Sequence, residues 1–344
     1  MSKANFTIIP KASVPTRFAR GWHCLGLASD YGNEPIALNY FGGKQVAYRG
    51  EDLKVYIIDA YCLHMGADLT KGKVEANGIR CPFHSWRWGG DGICDDIPYA
   101  KNIPTKAKTR SWSTLEANGL LFVWHDAEFN PPIAEQLIPH MEACFSDQWS
   151  PWSIEIMNIQ TNCRELVDNM ADVAHFGPVH ANSIDSFKNI SDGHIFVQAQ
   201  TGGSETLSDV GLVSTATYFG PAYMINEMEG EIDGKHIESK LLISHVPLTQ
   251  QSFDLRFGVM VKKLPDFSDK ENMAMVEEYI ELSRTAFFQD VDIWHNKIKI
   301  DAPILCDGDG PINKLRQWYE QFYLDIEAVP SALSQRKEYL VQQN

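Results

Sequence analysis

No stretch of 18 apolar residues occurs in this 344-residue chain, and Met1–Lys11 lacks the long apolar core of a signal peptide. A membrane span and an export signal are therefore not expected, and the chain reads as cytoplasmic. Positive charge is also scarce. Thirty Lys and Arg stand against 45 Asp and Glu, a net charge of -15, which excludes nucleic acid or an anionic membrane as the main partner because both select basic surface. A disulfide framework is missing as well: the seven cysteines are scattered, and Cys24, Cys94, Cys144, Cys163 and Cys306 have no ligand-type neighbour at short spacing. Those five are expected to be reduced packing residues. There is no internal repeat and no low-complexity tract. What the chain does have is 44% apolar and 11% aromatic content, enough for a large core in a length that suggests about two domains.

Two short segments carry the strongest chemical signal. CLHMG at Cys62–Gly66 and CPFHSW at Cys81–Trp86 supply two Cys-His pairs, Cys62/His64 and Cys81/His84. A Rieske [2Fe-2S] centre needs this inventory, since two thiolates hold one iron and two imidazoles the other. A Cys2His2 zinc site usually spaces its pairs as C-x2-4-C and H-x3-5-H, so mixed pairs reading C-x-H and C-x2-H fit zinc poorly. Gly66 and Pro82 allow tight loops, and Phe83, Trp86 and Trp88 could shield the site from water. No hydroxyl-rich signature flanks the ligands, which places the expected potential toward the low end of the Rieske range, about -150 to +300 mV.

The organisation is α+β and divides near residue 135, giving candidate domains 1–135 and 136–344. The first holds short runs rich in β-branched and aromatic residues, such as KVYIIDAYC and GLLFVWHD, separated by Gly and Asp turns. NPPIAEQLIP, Asn130–Pro139, is an extended connector. A helical motif follows near 163 to 176, then a strand-rich block from about 194 to 263 in which Asp233-Gly234 marks a hairpin. From Asn272 to about Lys299 the positions Met275, Tyr279, Leu282, Ala286, Ile293 and Ile298 predict a long amphipathic helix.

ELVDNMADVAHFGPVH, Glu165–His180, carries a second constellation. On a continuous helix Asp168, Asp172 and His175 would share one face, Gly177-Pro178 would end the helix, and His180 would return from the following loop. Two histidines and a carboxylate suit mononuclear Fe(II) with open positions, although the same spacing also describes a solvated helix face. An iron that activates O2 needs electrons on demand, and a one-electron carrier in the same chain would supply them.

Taken together the two constellations resemble the oxygenase components of Rieske non-haem iron oxygenases. Asp172, His175 and His180 match that family's D-x2-H-x4-H pattern, and the resemblance covers nearly the whole chain. It implies an all-β Rieske domain followed by a catalytic domain of helix-grip type, an antiparallel sheet with long helices. It also implies a third iron ligand from an aspartate near the C-terminus. The matching segment is FFQDVDIWHNK, where Asp290 follows Gln289 and is the expected ligand; Asp292, two residues on, points about 160° away on a helix. Asp172 is implied not to bind iron but to bridge His175 to a Rieske histidine of a neighbouring subunit, a route from His84 to Asp172 to His175 within a homotrimer.

The segments CPFHSWRWGGDG, IPYAKNIP, QDVDIWHNK and DGDGPINKLRQWYEQFYLD are most similar to the 3-ketosteroid 9α-hydroxylase group of that family. That resemblance implies a bacterial monooxygenase for an apolar, steroid-like ketone, using O2 and a separate flavin and iron-sulfur reductase fed by NADH. Asn169, Val173 and Phe176 become pocket candidates by adjacency to the ligands, and TATYFGPAYMINEM at Thr215–Met228 is apolar enough to line a pocket or simply to fill a core. Desaturation, demethylation and arene dihydroxylation remain alternatives, as does an electron carrier with a metal-free lipid-binding half.

Overall fold

The computed structural model describes residues 17–204 and 206–341, so Met1–Lys11, read above for a signal core, lies outside the described residues. Among the described residues no helix is long and apolar enough to cross a membrane. The amino-terminal part folds into three small antiparallel sheets. In one, Gly78–Arg80 and Arg87–Gly89 pair directly, which closes the segment between them into a tight loop holding Cys81 and His84. Gly92, in the WGGDG turn, has φ +79°, and a Cβ there would stand 2.3 Å from the Thr109 carbonyl oxygen. Only glycine fits that turn.

The carboxy-terminal part is an eight-stranded antiparallel sheet, running in spatial order Ser153–Ile159, Ser252–Val261, Lys235–Thr249, Tyr223–Ile232, Ser208–Phe219, Ile195–Ser204, Ser183–Asp192 and Lys337–Val341. The expected hairpin is present: Ile232 pairs with Lys235, and Asp233 and Gly234 take φ +51° and +71°, the two left-handed positions of a type I′ turn.

A long helix closes one face of this sheet. It spans Asp269–Asn296 and starts at a capping box between Ser268 and Glu271, three residues before the position the apolar pattern predicts. Tyr279, Val291 and Trp294 enter the core, and Phe287 stacks on Phe257 at 4.4 Å between ring centroids. Two expected core positions do not. Ile293 is 42% exposed because Val291 and Trp294 occupy the buried stripe, and Ile298 lies beyond the helix end.

The segment from 163 to 180 departs from the sequence expectation. Instead of one helix ended by Gly177-Pro178 there are two short ones, α1 (Cys163–Val167), extended by a 3-10 turn over Asp168–Met170, and α2 (Phe176–His180). Side chains break the continuity. Asn189 and Gln198 donate their amides to the Met170 carbonyl at 2.7 and 3.2 Å, occupying an acceptor that a longer helix would have used. Asp168 does not face the site but binds Arg316, with Oδ2 2.6 Å from Nη2. Pro178 is tolerated because it lies in the first turn of α2, where no N–H is required. The long helix is α3 (Asp269–Asn296), and α4 (Ile312–Glu320) carries Arg316.

All seven cysteines are free. Cys24, Cys94 and Cys163 are buried, but Cys144 is only partly so and Cys306 is exposed in the loop after α3, which corrects the packing role expected of it.

A buried histidine group joins the two halves. The His23 ring meets the His245 carbonyl at 3.2 Å, and its centroid lies 6.5 Å from that of His125. Burial holds His23 down to about 4, His125 down to about 3 and His245 well below the ordinary 6.5. The unfolded chain therefore binds more protons once pH drops below about 6.5, and stability falls through that window by up to ~1.4 kcal/mol per pH unit for each ring. His125 stacks on Phe41 at 4.5 Å, so His125→Phe keeps the ring and removes the titration. Calorimetry between pH 7 and 5 should show a shallower loss of stability in that variant, and equal slopes would exclude His125 as a source of acid sensitivity.

Candidate active site and metal centres

The two Cys-His loops fold alike. Gly66 N donates to the Cys62 carbonyl at 2.8 Å, and Ser85 N to the Cys81 carbonyl at 3.1 Å. The left-handed residue is Gly66 (φ +77°) in the first loop and Ser85 (φ +61°) in the second. The arrangement sinks both sulfurs, with Cys62 and Cys81 each 2% exposed, and leaves the two imidazoles nearer the surface with their centroids 4.6 Å apart. Buried thiols on one side and imidazoles on the other match the asymmetry of a Rieske centre. Burial also pushes the Cys62 thiol up, so its thiolate needs a positive charge bound beside it. Trp86 stacks on His64 at 4.6 Å and 9°, shielding that ring, whereas Phe83 is 60% exposed.

His175, His180 and Asp290 come together although they belong to three different positions of the fold. Their donor atoms lie within 4.8 Å of one another, a set that could hold a metal ion, and His180 Nε2 stands 3.3 Å from Asp290 Oδ2. His175 sits just before α2 and His180 at its end, while Asp290 reaches in from α3. His175 Nδ1 lies 2.5 Å from the Asp172 carbonyl, an acceptor only, which fixes the proton on Nδ1 and leaves Nε2 free to bind a metal. Burial works against a charged imidazole at His180, but the neighbouring Asp290 outweighs it and holds the ring above its ordinary value. A cation is thus favoured at this point, and two imidazoles with one carboxylate suit Fe(II). Asp292 is exposed and outside the group.

Asp172 flanks the group. Its Oδ2 is 3.8 Å from His175 Nδ1, and its side chain is 34% exposed, so it touches the histidine on one side and solvent on the other. Burial opposes its ionisation, yet His175 holds the carboxyl below the usual range.

The group opens on a cavity of about 890 Å³, mouth included, between α3 and the sheet. Apolar side chains such as Leu212, Met224, Met228 and Leu241 dominate the wall, as they do in sites for apolar small molecules. Asn169 and Phe176 line it; Val173 is buried elsewhere. Of the Thr215–Met228 segment, Ala216, Tyr218, Met224, Asn226 and Met228 face the cavity. Sequence reading missed Gln198, Gln200 and Gln289. The first two occupy inward positions of an alternating strand, where a polar residue at a buried register is itself a signal. Gln289 places its Oε1 2.9 Å from His180 Nδ1, where it accepts the ring N–H and leaves Nε2 free, so it ties α3 to the end of α2. Its position beside Asp290 is the only sequence clue.

Residues 21–107 match the Rieske [2Fe-2S] domain family, and residues 123–323 match the 3-ketosteroid 9alpha-hydroxylase C-terminal domain family. A 3-ketosteroid-9-alpha-monooxygenase oxygenase component of Rhodococcus rhodochrous is 44% identical over 342 residues, covering 96% of this chain and 88% of that protein. Its counterpart in Mycobacterium tuberculosis (strain ATCC 25618 / H37Rv) is 42% identical over 340 residues, covering 96% and 88%. The solved structure of NdmA of Pseudomonas putida CBB5 with caffeine shares the fold, with a TM-score of 0.70 at 18% identity over 94% of this chain and 96% of that one. The chain therefore belongs to the 3-ketosteroid 9α-hydroxylase oxygenase family and is a Rieske non-haem iron monooxygenase whose cofactors are a [2Fe-2S] cluster and a mononuclear iron.

Proposed function

We propose that this protein hydroxylates an apolar 3-ketosteroid-like substrate at an unactivated ring carbon, with electrons from a separate NADH-dependent flavin and iron-sulfur reductase. The observation that carries the reading is the His175, His180 and Asp290 group opening on an apolar cavity, in a chain 44% identical to a relative named for this reaction. Cys62, His64, Cys81 and His84 hold the cluster in this reading, within a first domain that ends near residue 135, and the enzyme works in the cytoplasm. When bound at the three-residue group, Fe(II) supplies the reductive activation of O2.

The protein's own share is positioning and exclusion. The Asp172 carbonyl orients His175, Gln289 orients His180, and Asp290 contributes the negative charge that a divalent ion needs. The apolar wall seats the substrate and keeps bulk water from the oxidant. Asn169 and Phe176, lining the cavity near the histidines, set which carbon of the substrate comes closest. Asp172, touching His175 and exposed beyond it, carries electrons between subunits of a homotrimer. An exposed apolar collar around the cluster loops, formed by Leu63, Met65, Phe83 and Tyr99, supports coverage of that tip by another chain.

The direct test is turnover of a panel of 3-ketosteroids under labelled O2 with a surrogate reductase and NADH, followed by product identification. One hydroxyl carrying one labelled oxygen is expected. A diol, a desaturated product or a demethylated one would move the protein to another chemistry of the same family, and uncoupled NADH oxidation with every steroid would exclude this substrate class.

A further inference from the structure

Beneath the cluster loops lies Trp88, in the strand Arg87–Gly89, with no exposed surface. Its Nε1 is 3.3 Å from Cys62 Sγ, and Cys62 itself is 2% exposed. An indole N–H can only donate, and when buried it needs an acceptor; here that acceptor is the sulfur. Pairing of Ile79 and Cys94 with Trp88 on either side anchors its backbone. Trp86, two residues earlier, behaves differently: its Nε1 donates to Tyr99 Oη at 2.7 Å, and its ring covers His64.

We propose that Trp88 sets the potential of the [2Fe-2S] centre by donating its indole N–H to the Cys62 thiolate. The inference rests on Cys62 being a cluster ligand, as in the functional reading above. Reduction adds one electron to the cluster, and part of the added negative charge resides on the coordinating sulfur. A donor aimed at that sulfur stabilises the reduced form more than the oxidised form, so the potential rises. Complete burial strengthens the effect, because no water competes for the sulfur. The lack of a hydroxyl-rich signature around the ligands, which by itself points to the low end of the Rieske range, is thereby partly offset by an indole.

Two measurements test this. In holoenzyme carrying 15N-labelled tryptophan, pulsed EPR of the reduced cluster should show an indole 15N coupling that Trp88→Phe removes and Trp86→Phe retains. Voltammetry should show the Trp88→Phe cluster to be harder to reduce, with a shift of about tenfold in the oxidised-to-reduced ratio at fixed ambient potential, which is 59 mV for a one-electron couple. Where Trp88→Phe fails to assemble its cluster, benzothienylalanine at position 88 keeps the indole shape without the N–H and should give the same shift. No 15N coupling in the unsubstituted enzyme, or an unchanged potential in a fully loaded variant, overturns the proposal. Absence of any Rieske EPR signal in the wild-type protein would instead overturn the cluster assignment on which it rests.

Discussion

Asp290→Ala is expected to abolish turnover and to strip the mononuclear iron while leaving the Rieske absorption and the fold unchanged. Asp290 is 8% exposed, and its Oδ2 lies 3.3 Å from His180 Nε2, within a group of donors no more than 4.8 Å apart. Removing the carboxylate leaves two neutral imidazoles to bind a divalent cation in a partly buried place. The loss of affinity should exceed the ~10–100-fold typical of outer-shell partners, since the proposed ligand itself is gone. Asp292→Ala is the matched control. Asp292 lies outside the group, its backbone carbonyl accepts from the Asn296 amide at 2.8 Å, and its replacement should leave iron content unchanged. Iron analysis and cluster absorbance on both variants decide the matter. Loss of the mononuclear iron from Asp292→Ala instead would place the site elsewhere, and equal, mild effects would argue against a metal at this group.

Two individually dead variants, His84→Ala and Asp290→Ala, should regain activity when co-assembled. In the proposed head-to-tail ring the cluster of one chain would serve the iron of the next, so an Asp290→Ala chain with an intact cluster could serve a His84→Ala chain with an intact iron. Random mixing in equal amounts pairs them correctly at one junction in four, which sets an upper limit of about a quarter of wild-type activity. Asp172→Asn should fail by a different route: both metal sites stay filled, but turnover falls by at least ~10–100-fold because the charge beside His175 is lost. Mixed assemblies that remain inactive, or wild-type activity from an isolated monomer, would exclude the route between subunits.

The legibility of these features in the sequence depends on how far apart their parts lie. Cys62 with His64 and Cys81 with His84 each sit within one tight loop, so chemistry and spacing appear side by side in the chain, and the structure brings the two loops together. The hairpin at Asp233-Gly234 is legible for the same reason, because a left-handed turn demands particular residues locally. Asp290 is more than a hundred residues from His180, and only resemblance to a family joins them in the sequence. Periodicity favoured one helix through Asp172 and His175, and it was misleading there. Asn189, Gln198 and Arg316 arrive from distant strands and from α4 to take the Met170 carbonyl and the Asp168 carboxylate.

The sequence by itself thus determined the cluster inventory, the α+β class and the long closing helix, all of which arise from interactions between residues near one another along the chain. Tertiary structure alone decided which side chains line the cavity, that Gln289 supports His180, that His23, His125 and His245 are buried together, and that Trp88 points its N–H at Cys62. Each of these depends on strand register and on the packing of separate elements. No local pattern encodes them, because the free energy that selects them comes from burial and from hydrogen bonds between parts of the chain that meet only after folding.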